Sequence, residues 1–364
     1  MKLKILDRYL LKELAGPFFF GIAAFSSVFI GTDVLFRMAN YIAKYGAPFW
    51  SVIKLFLVSL PEIIRYTLPM SVLLSALLTF GRLSSTSEII AMRAGGISFL
   101  RLMRPVVAVA LIVTVVAFLL GEYVVPASRV AYKEIVRVEV ERNTKPLTEE
   151  HIVMKVVSNG EMQQLIYARK FDEEKGRLED VIVEDFEGGD LVRLETAEYA
   201  TFKNGRWTIF NGVITELSPE GIVNRTVTFN QQELPALGSP REIAIHQKKP
   251  RDMNLAELRQ QITALKQKSD ATSKLKLELY QRYALPFACL MCALIGAPLG
   301  LQPQRSSSSM GFGLSVIIVL IYYVFLSVFT SLGETGKIAP LLAAWLPNLI
   351  GFTAGGFFIW KASR

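Results

Sequence analysis

Six apolar stretches, three on each side of a polar middle, constrain what this chain can fold into more than any other feature. Residues 14–36, 52–80, 105–121, 283–301, 310–332 and 338–360 are almost free of charge, whereas 126–282 carry most of the acids and bases. A helix needs about 20 apolar residues to cross a hydrocarbon core of roughly 30 Å. Each stretch is near that length, so the sequence predicts six membrane spans, split three and three around a water-exposed insert.

The insert changes period. Residues 151–157, 162–171, 178–187, 190–202, 206–217 and 222–231 alternate apolar and polar side chains, as half-buried strands do. Asn-Gly at 159–160 and 204–205, and Gly-Gly at 188–189, supply turns between them. Sequential short strands of this kind predict an antiparallel sandwich or jelly roll. A polar helix is expected at 254–268, with Asn254 as its N-cap. The expected fold class is thus an α-helical membrane protein with six transmembrane helices and an inserted all-β, jellyroll-like domain. The expected boundaries are 1–125 for the first membrane half, 126–253 for the β-domain, and 254–364 for the connecting helix and second membrane half.

A net charge of +8 invites a nucleic-acid reading, but the basic residues sit mainly beside the spans, where they set orientation. Lys2, Lys4, Arg8, Lys12, Arg82, Arg93, Arg101, Arg104, Arg305, Lys361 and Arg364 all fall on one side if there are six crossings. The two short segments on the other side hold only Arg37, Lys44, Lys54 and Lys337. The rule that positive loops stay inside puts both termini in the cytoplasm and the β-domain outside, in the periplasm of a two-membrane cell. The basic start followed by an apolar run also fits a signal peptide, but the run is too long and lacks a small-x-small cleavage site. Span one is therefore expected to be retained.

Charged residues near the spans are expected to pair or to face a cavity. Asp33 and Arg37 are spaced for an i, i+4 pair at the outer end of span one. Glu62 and Arg65 are spaced i, i+3 in the outer half of span two, between Pro61 and Pro69, which predict a bent or interrupted helix. Residues 2–13 read as a separate amphipathic helix at the cytoplasmic interface. Between spans two and three, Ser84 or Ser85 with Glu88 matches a capping signal, Ile89, Ile90 and Met92 form an apolar patch, and Gly95-Gly96 stop the helix. A short cytoplasmic helix carrying an exposed acid suits docking of a cytoplasmic partner.

Catalytic chemistry is not legible. His151 and His246 lack metal-ligand spacing, and Gly333-Glu334-Thr335-Gly336-Lys337 lacks the full spacing of a phosphate loop. Cys289 and Cys292 lie inside span four with no second pair, so they read as buried thiols. No cofactor, metal site or catalytic residue is expected, and the chain is read as a non-enzymatic subunit.

Several stretches resemble the lipopolysaccharide export system permease family (LptF/LptG, also YjgP/YjgQ). They are Leu-Pro-Glu-Ile-Ile at 60–64, Thr-Ser-Glu-Ile-Ile-Ala-Met-Arg-Ala-Gly-Gly-Ile-Ser at 86–98, Ala-Leu-Pro-Phe-Ala-Cys at 284–289, Gly-Ala-Pro-Leu-Gly-Leu at 296–301 and Ala-Ala-Trp-Leu-Pro-Asn at 343–348. The resemblance implies an inner-membrane permease that pairs with a second permease subunit, a paralogue or a copy of itself. It implies a cytoplasmic ABC ATPase dimer that supplies the energy, and a periplasmic exit route through a single-span jellyroll protein and a bridge protein. It places ATPase coupling on Glu88, Ile89, Arg93, Gly95 and Gly96. It further implies that spans one and five gate a central cavity, for which Phe25, Phe29, Tyr322, Phe325 and Phe329 are the candidate lining, and Arg37 and Lys44 the candidate lipid-phosphate ligands. The competing readings are a lipoprotein-release or efflux permease, and a membrane-tethered protein whose β-domain binds an envelope ligand. The first usually has four spans with its large domain after span one, unlike the arrangement here.

Overall fold

The computed structural model describes residues 5–141, 148–158, 161–172, 176–188, 190–203, 206–218, 222–234, 250–264, 270–301 and 308–363. The chain divides into two compact units, Met1–Arg142 with Pro250–Arg364, and Asn143–Lys249. The β-unit therefore starts later than residue 126 and ends before 253, because the helix of span three runs on past Pro126 and residues 250–253 pack with the membrane helices.

The first unit contains six helical runs long and apolar enough to cross a membrane. The first comprises α1 (Ile5–Phe29), a π-turn at Ile30–Val34, and α2 (Leu35–Tyr45). No separate interfacial helix precedes it among the described residues: the amphipathic start is the first turns of α1, because nothing between Leu14 and Phe18 breaks the helix and Pro17 is carried inside it. Span two is α3 (Phe49–Ser85), which runs through Pro61 and Pro69 without interruption. Within the turn disturbed by Pro69, the Tyr323 hydroxyl donates to the Tyr66 carbonyl at 3.0 Å. The short α4 (Glu88–Ala94) follows, then α5 (Phe99–Leu119), a π-turn (Leu120–Val124), α6 (Val125–Ile135) and a second π-turn (Val136–Val140), which together form span three. After the insert come α7 (Leu255–Ala264), α8 (Asp270–Gly300), α9 (Ser308–Glu334) and α10 (Pro340–Ser363). The Asn254 side chain caps α7 by accepting from Glu257 N at 2.8 Å while Glu257 reaches back to Asn254 N at 2.9 Å, a reciprocal capping box.

Spans two and four form the centre. In their most apolar windows 78% and 67% of positions are buried, against 17% in span one and 11% in span five. Small residues allow the close approach that drives helix association in lipid. On α8, Gly296 and Gly300 face α3 so tightly that an added Cβ would lie 2.9 Å from the Leu73 carbonyl oxygen or 2.8 Å from Phe80 Cβ. On α3, Thr67, Ser71, Ser75 and Thr79 recur every fourth residue and meet α1. The Ser75 hydroxyl donates to the Leu14 carbonyl at 2.7 Å, and Thr79 to that of Glu13 at 3.2 Å.

The second unit is all-β, as expected. Its six strands, β1 (Thr148–Ser158), β2 (Glu161–Asp172), β3 (Arg177–Glu187), β4 (Asp190–Lys203), β5 (Arg206–Leu217) and β6 (Val223–Leu234), lie in sequence order in one antiparallel sheet. The connectivity is a hairpin meander without Greek-key crossings among the described residues. Of the predicted turns, 159–160 and 204–205 lie outside the described residues; at 188–189 Gly188 is a turn residue with φ 62°, and 189 lies outside them. One face buries Ile166, Phe171, Leu178, Val183, Trp207 and Ile209. Inward residues skip three positions instead of two at one line across the sheet: Ala168 to Phe171, Leu178 to Val181, Ala197 to Ala200. The skipped line holds Arg169, Asp180, Glu198 and Asn211; Asp180 and Asn211 adopt φ of 49° and 53°. Asp and Asn tolerate this left-handed region better than most residues. The line acts as a bulge-like crease that keeps one face inward on both sides of it.

Candidate functional site

The hairpin between spans two and three is short because α3 continues to Ser85. The predicted capping box is consequently absent: Ser84 and Ser85 belong to α3, the N-cap of α4 is Ser87 with φ 62°, and no side chain caps the helix. Glu88 instead accepts from Thr86 Oγ1 at 3.1 Å and from the Tyr9 hydroxyl at 2.7 Å. The C-terminal stop is as the glycines imply. Gly96 has φ 84°, its N–H donates to the Arg93 carbonyl at 3.0 Å, and Ile97 N–H donates to Met92 at 3.0 Å, a Schellman motif.

The two isoleucines of α4 point in opposite directions. Ile89 is 3% exposed and packs with Leu10, Leu14, Leu83 and Phe99, whereas Ile90 is 64% exposed. Ile89 therefore anchors the helix within the subunit, and Ile90, Ala91, Arg93 and Ala94 form the outward surface. Ile90 was visible in the sequence only as part of the apolar patch. The hairpin is braced on both flanks: Arg101 makes a two-pronged ion pair with Asp7 at 2.6 and 2.8 Å, and Arg82 pairs with Glu13. Phe80 and Phe99 meet edge to face at 6.2 Å beneath it.

The aromatic candidates divide. Phe25 is buried and stacks on Phe312 at 5.9 Å, and Tyr322 is buried with its hydroxyl on Asn348 Oδ1 at 3.1 Å. Both belong to the subunit's core. Phe29 and Phe329 are half-buried, and Phe325 is exposed beside Phe329 with ring centroids 6.4 Å apart. The outward faces of spans one and five are otherwise apolar, with Phe19, Phe20 and Val28 on α1 and Ile317, Leu320 and Val324 on α9 all exposed.

At the other end, Arg37 and Lys44 sit on α2, since the helix of span one extends to Tyr45. Arg37 pairs with Asp33, as its spacing predicts, and Lys44 lies over the Tyr45 ring at 5.4 Å. Both are exposed. Glu62 and Arg65 do not pair. Glu62 takes Arg129 of α6 at 3.0 and 2.5 Å, and Arg65 lies against Gly121, where a Cβ would come within 2.8 Å of its Nε. Neighbouring charges join the start of the second membrane half to span three. Arg129 also donates to the Arg251 carbonyl at 2.9 Å, Lys133 pairs with Asp252, and Glu122 accepts from Leu255 N at 2.9 Å and faces Arg282 at 3.4 Å. Sequence reasoning missed this network because its members are far apart in the chain. The Gly333–Lys337 stretch is a helix terminus: Gly336 has φ 73° and Lys337 N–H returns to the Leu332 carbonyl at 3.1 Å.

A six-span unit with a packed centre, two lightly packed spans, a short helix anchored between spans two and three and an inserted β-sheet defines a transporter-type membrane subunit. A family profile described as "Lipopolysaccharide export system permease LptF/LptG" matches residues 8–361. The chain belongs to that family and is a multi-pass inner-membrane permease subunit. It is 20% identical over 359 residues to the lipopolysaccharide export system permease protein LptG of Haemophilus influenzae, covering 95% of each chain. It is 24% identical over 320 residues to the protein LptF of Escherichia coli K12, covering 82% of this chain and 79% of that one.

Proposed function

We propose that this permease subunit works in an ATP-driven assembly that extracts lipopolysaccharide from the inner membrane and passes it toward the outer membrane through periplasmic β-domains. The observation that carries the reading is the α4 hairpin. Its Ile89 side is fixed to spans one, two and three while Ile90 and Arg93 face outward, on the side where basic segments place the cytoplasm. That surface is the docking point for an ABC ATPase dimer. Both termini are cytoplasmic, and the β-domain is periplasmic. A second permease subunit covers the apolar faces of spans one and five, whose few buried positions support such a partner. Arg37 and Lys44 face lipid phosphates at the outer end, and Phe29, Phe325 and Phe329 line the route of the acyl chains.

The energetics require this division of labour. Each buried CH₂ contributes about 0.8 kcal/mol, so withdrawing a ~10-carbon chain into water costs about 8 kcal/mol. An apolar path removes most of that cost, and an ATPase supplies the direction. Co-purification with a cytoplasmic ATPase, lost on Glu88→Lys together with lipopolysaccharide export, is the expected result. An intact complex and normal export in that variant would refute docking at α4.

A further inference from the structure

The cytoplasmic end of span one holds the hairpin that bears α4 at three successive places. Glu13 pairs with Arg82 just before the hairpin, Tyr9 bonds Glu88 at its first residue, and Asp7 clamps Arg101 just after it. Between these polar contacts, Leu10 and Leu14 are buried against Leu83, Ile89, Phe99 and Leu102. The same helix runs on unbroken to Phe29. At 1.5 Å per residue its 25 residues span about 37 Å. Beyond the inner turns one stripe of α1, Gly21, Phe25 and Ser26, stays buried, with Gly21 against Ser71 of α3 and Phe25 stacked on Phe312 of α9, while Phe19, Phe20 and Val28 on its other faces are exposed. A π-turn at Ile30–Val34 interrupts the regular ladder at the outer end. Apart from α3 and α5, which it joins, α4 is therefore held by the start of α1.

We propose that the inner end of span one is the lever of this transporter, with Tyr9 as the positioning residue that keeps Glu88 and α4 in register with it. Displacement of α4 by a docked partner then travels along α1 to its outer half. The inference rests on the reading of α4 as the docking point and adds the element that receives its motion. Tyr9 acts through Glu88 and touches no lipid. Of the three contacts it is the most selective, because its ring contributes to packing while only its hydroxyl reaches the carboxylate.

Tyr9→Phe keeps the ring and removes that hydroxyl. In the purified assembly with its ATPase, amide hydrogen exchange over residues 88–94 is expected to quicken about fivefold, the effect of losing one hydrogen bond to a charged acceptor at a half-exposed site. ATP turnover is retained, and lipopolysaccharide released per ATP falls by about the same factor. Asp7→Lys and Arg101→Glu singly lower release per ATP, and the two together restore it. Glu88→Gln separates the inference from the reading beneath it. If Glu88→Gln lowers release per ATP while Tyr9→Phe changes neither exchange nor release, docking stands and the lever falls. If exchange quickens in Tyr9→Phe but neither variant alters release per ATP, the lever falls; the docking reading falls only if Ile90→Ala, on the outward face, also leaves ATPase retention unchanged.

Discussion

The α3–α8 seam makes opposite predictions for two glycines of the same chain. At Gly300 a Cβ would lie 2.8 Å from Phe80 Cβ, 2.9 Å from the Leu77 carbonyl oxygen and 3.1 Å from Gly81 N, all on or next to backbone. Ordinary contact begins near 3.4 Å, so Gly300→Ala forces the two helices apart by about 0.5 Å along a buried interface. Overpacking of this kind costs about 1–3 kcal/mol. Alanine returns up to about 1 kcal/mol through its higher helix propensity. The net expectation is a loss of about 1–2 kcal/mol. At Gly313, on α9, nothing lies within 4 Å of an added Cβ. Only the propensity gain remains there, and Gly313→Ala is neutral or stabilising by up to about 1 kcal/mol. Equilibrium unfolding of the detergent-solubilised chain by graded SDS, followed by tryptophan fluorescence, measures both. Equal stability of the two variants would show that the close approach of α3 and α8 does not set the membrane unit's stability.

Adjacent isoleucines separate anchoring from docking: Ile89→Ala loses about 2–4 kcal/mol of stability by leaving a cavity, whereas Ile90→Ala stays within about 0.5 kcal/mol and weakens ATPase retention on a column. Arg282 is 4% exposed between the half-buried Glu122 and Glu278, so Arg282→Met removes their shared cation at a cost of about 1–3 kcal/mol; adding Glu122→Gln recovers part of it, and strictly additive losses would show the pair uncoupled. In the β-unit, burial pushes the Glu195 carboxyl upward, against the opposing pull of Arg193 and Gln232. Because its folded value is raised, its contribution to stability is complete at pH below the ordinary carboxylate range and is lost as pH rises through the raised value. Glu195→Gln is therefore expected to flatten that decline and to stabilise the β-unit at neutral pH, read as midpoint against pH in urea titrations of the full chain.

Much of the fold was legible because two periods and one length scale write it. Spans need long uncharged runs, and the strands from 148 to 234 alternate well enough that each predicted strand overlaps an observed one. What escaped has a common physical origin. The break between 168 and 171 and its counterparts follow from two left-handed residues, Asp180 and Asn211, and no alternation pattern announces a crease. Glu62 had two cationic neighbours by spacing and by fold, and the fold supplied Arg129, which is 67 positions away. The face that α4 turns outward was equally hidden. Ile89 and Ile90 are chemically identical, and only the seat formed by Leu10, Leu83 and Phe99 decides which is buried. The capping signal at Ser84 and Ser85 was overridden because extending α3 to Ser85 gains more packing around Phe80 and Leu83 than a local cap supplies.

Burial also decides which parts of such a transporter are able to move. An element that changes position in each cycle must give up few buried contacts when it does so. Spans two and four are sewn together by Gly296, Gly300 and Ala76, so separating them would cost several overlapping contacts at once. Span five offers few such contacts, and span one offers a single stripe of them, from Leu10 and Leu14 at the hairpin through Gly21, Phe25 and Ser26 to Val34 and Met38. A helix packed along one stripe and exposed on its other faces can turn about that stripe more readily than it can leave it. On the proposed docking at α4, the lowest-cost response to its displacement is rotation of span one about its contact with the Thr67–Thr79 stripe of α3. That rotation would shift Phe25 against its stacking partner Phe312 of span five, so a Phe312→Ala change is the substitution expected to loosen the two spans from each other.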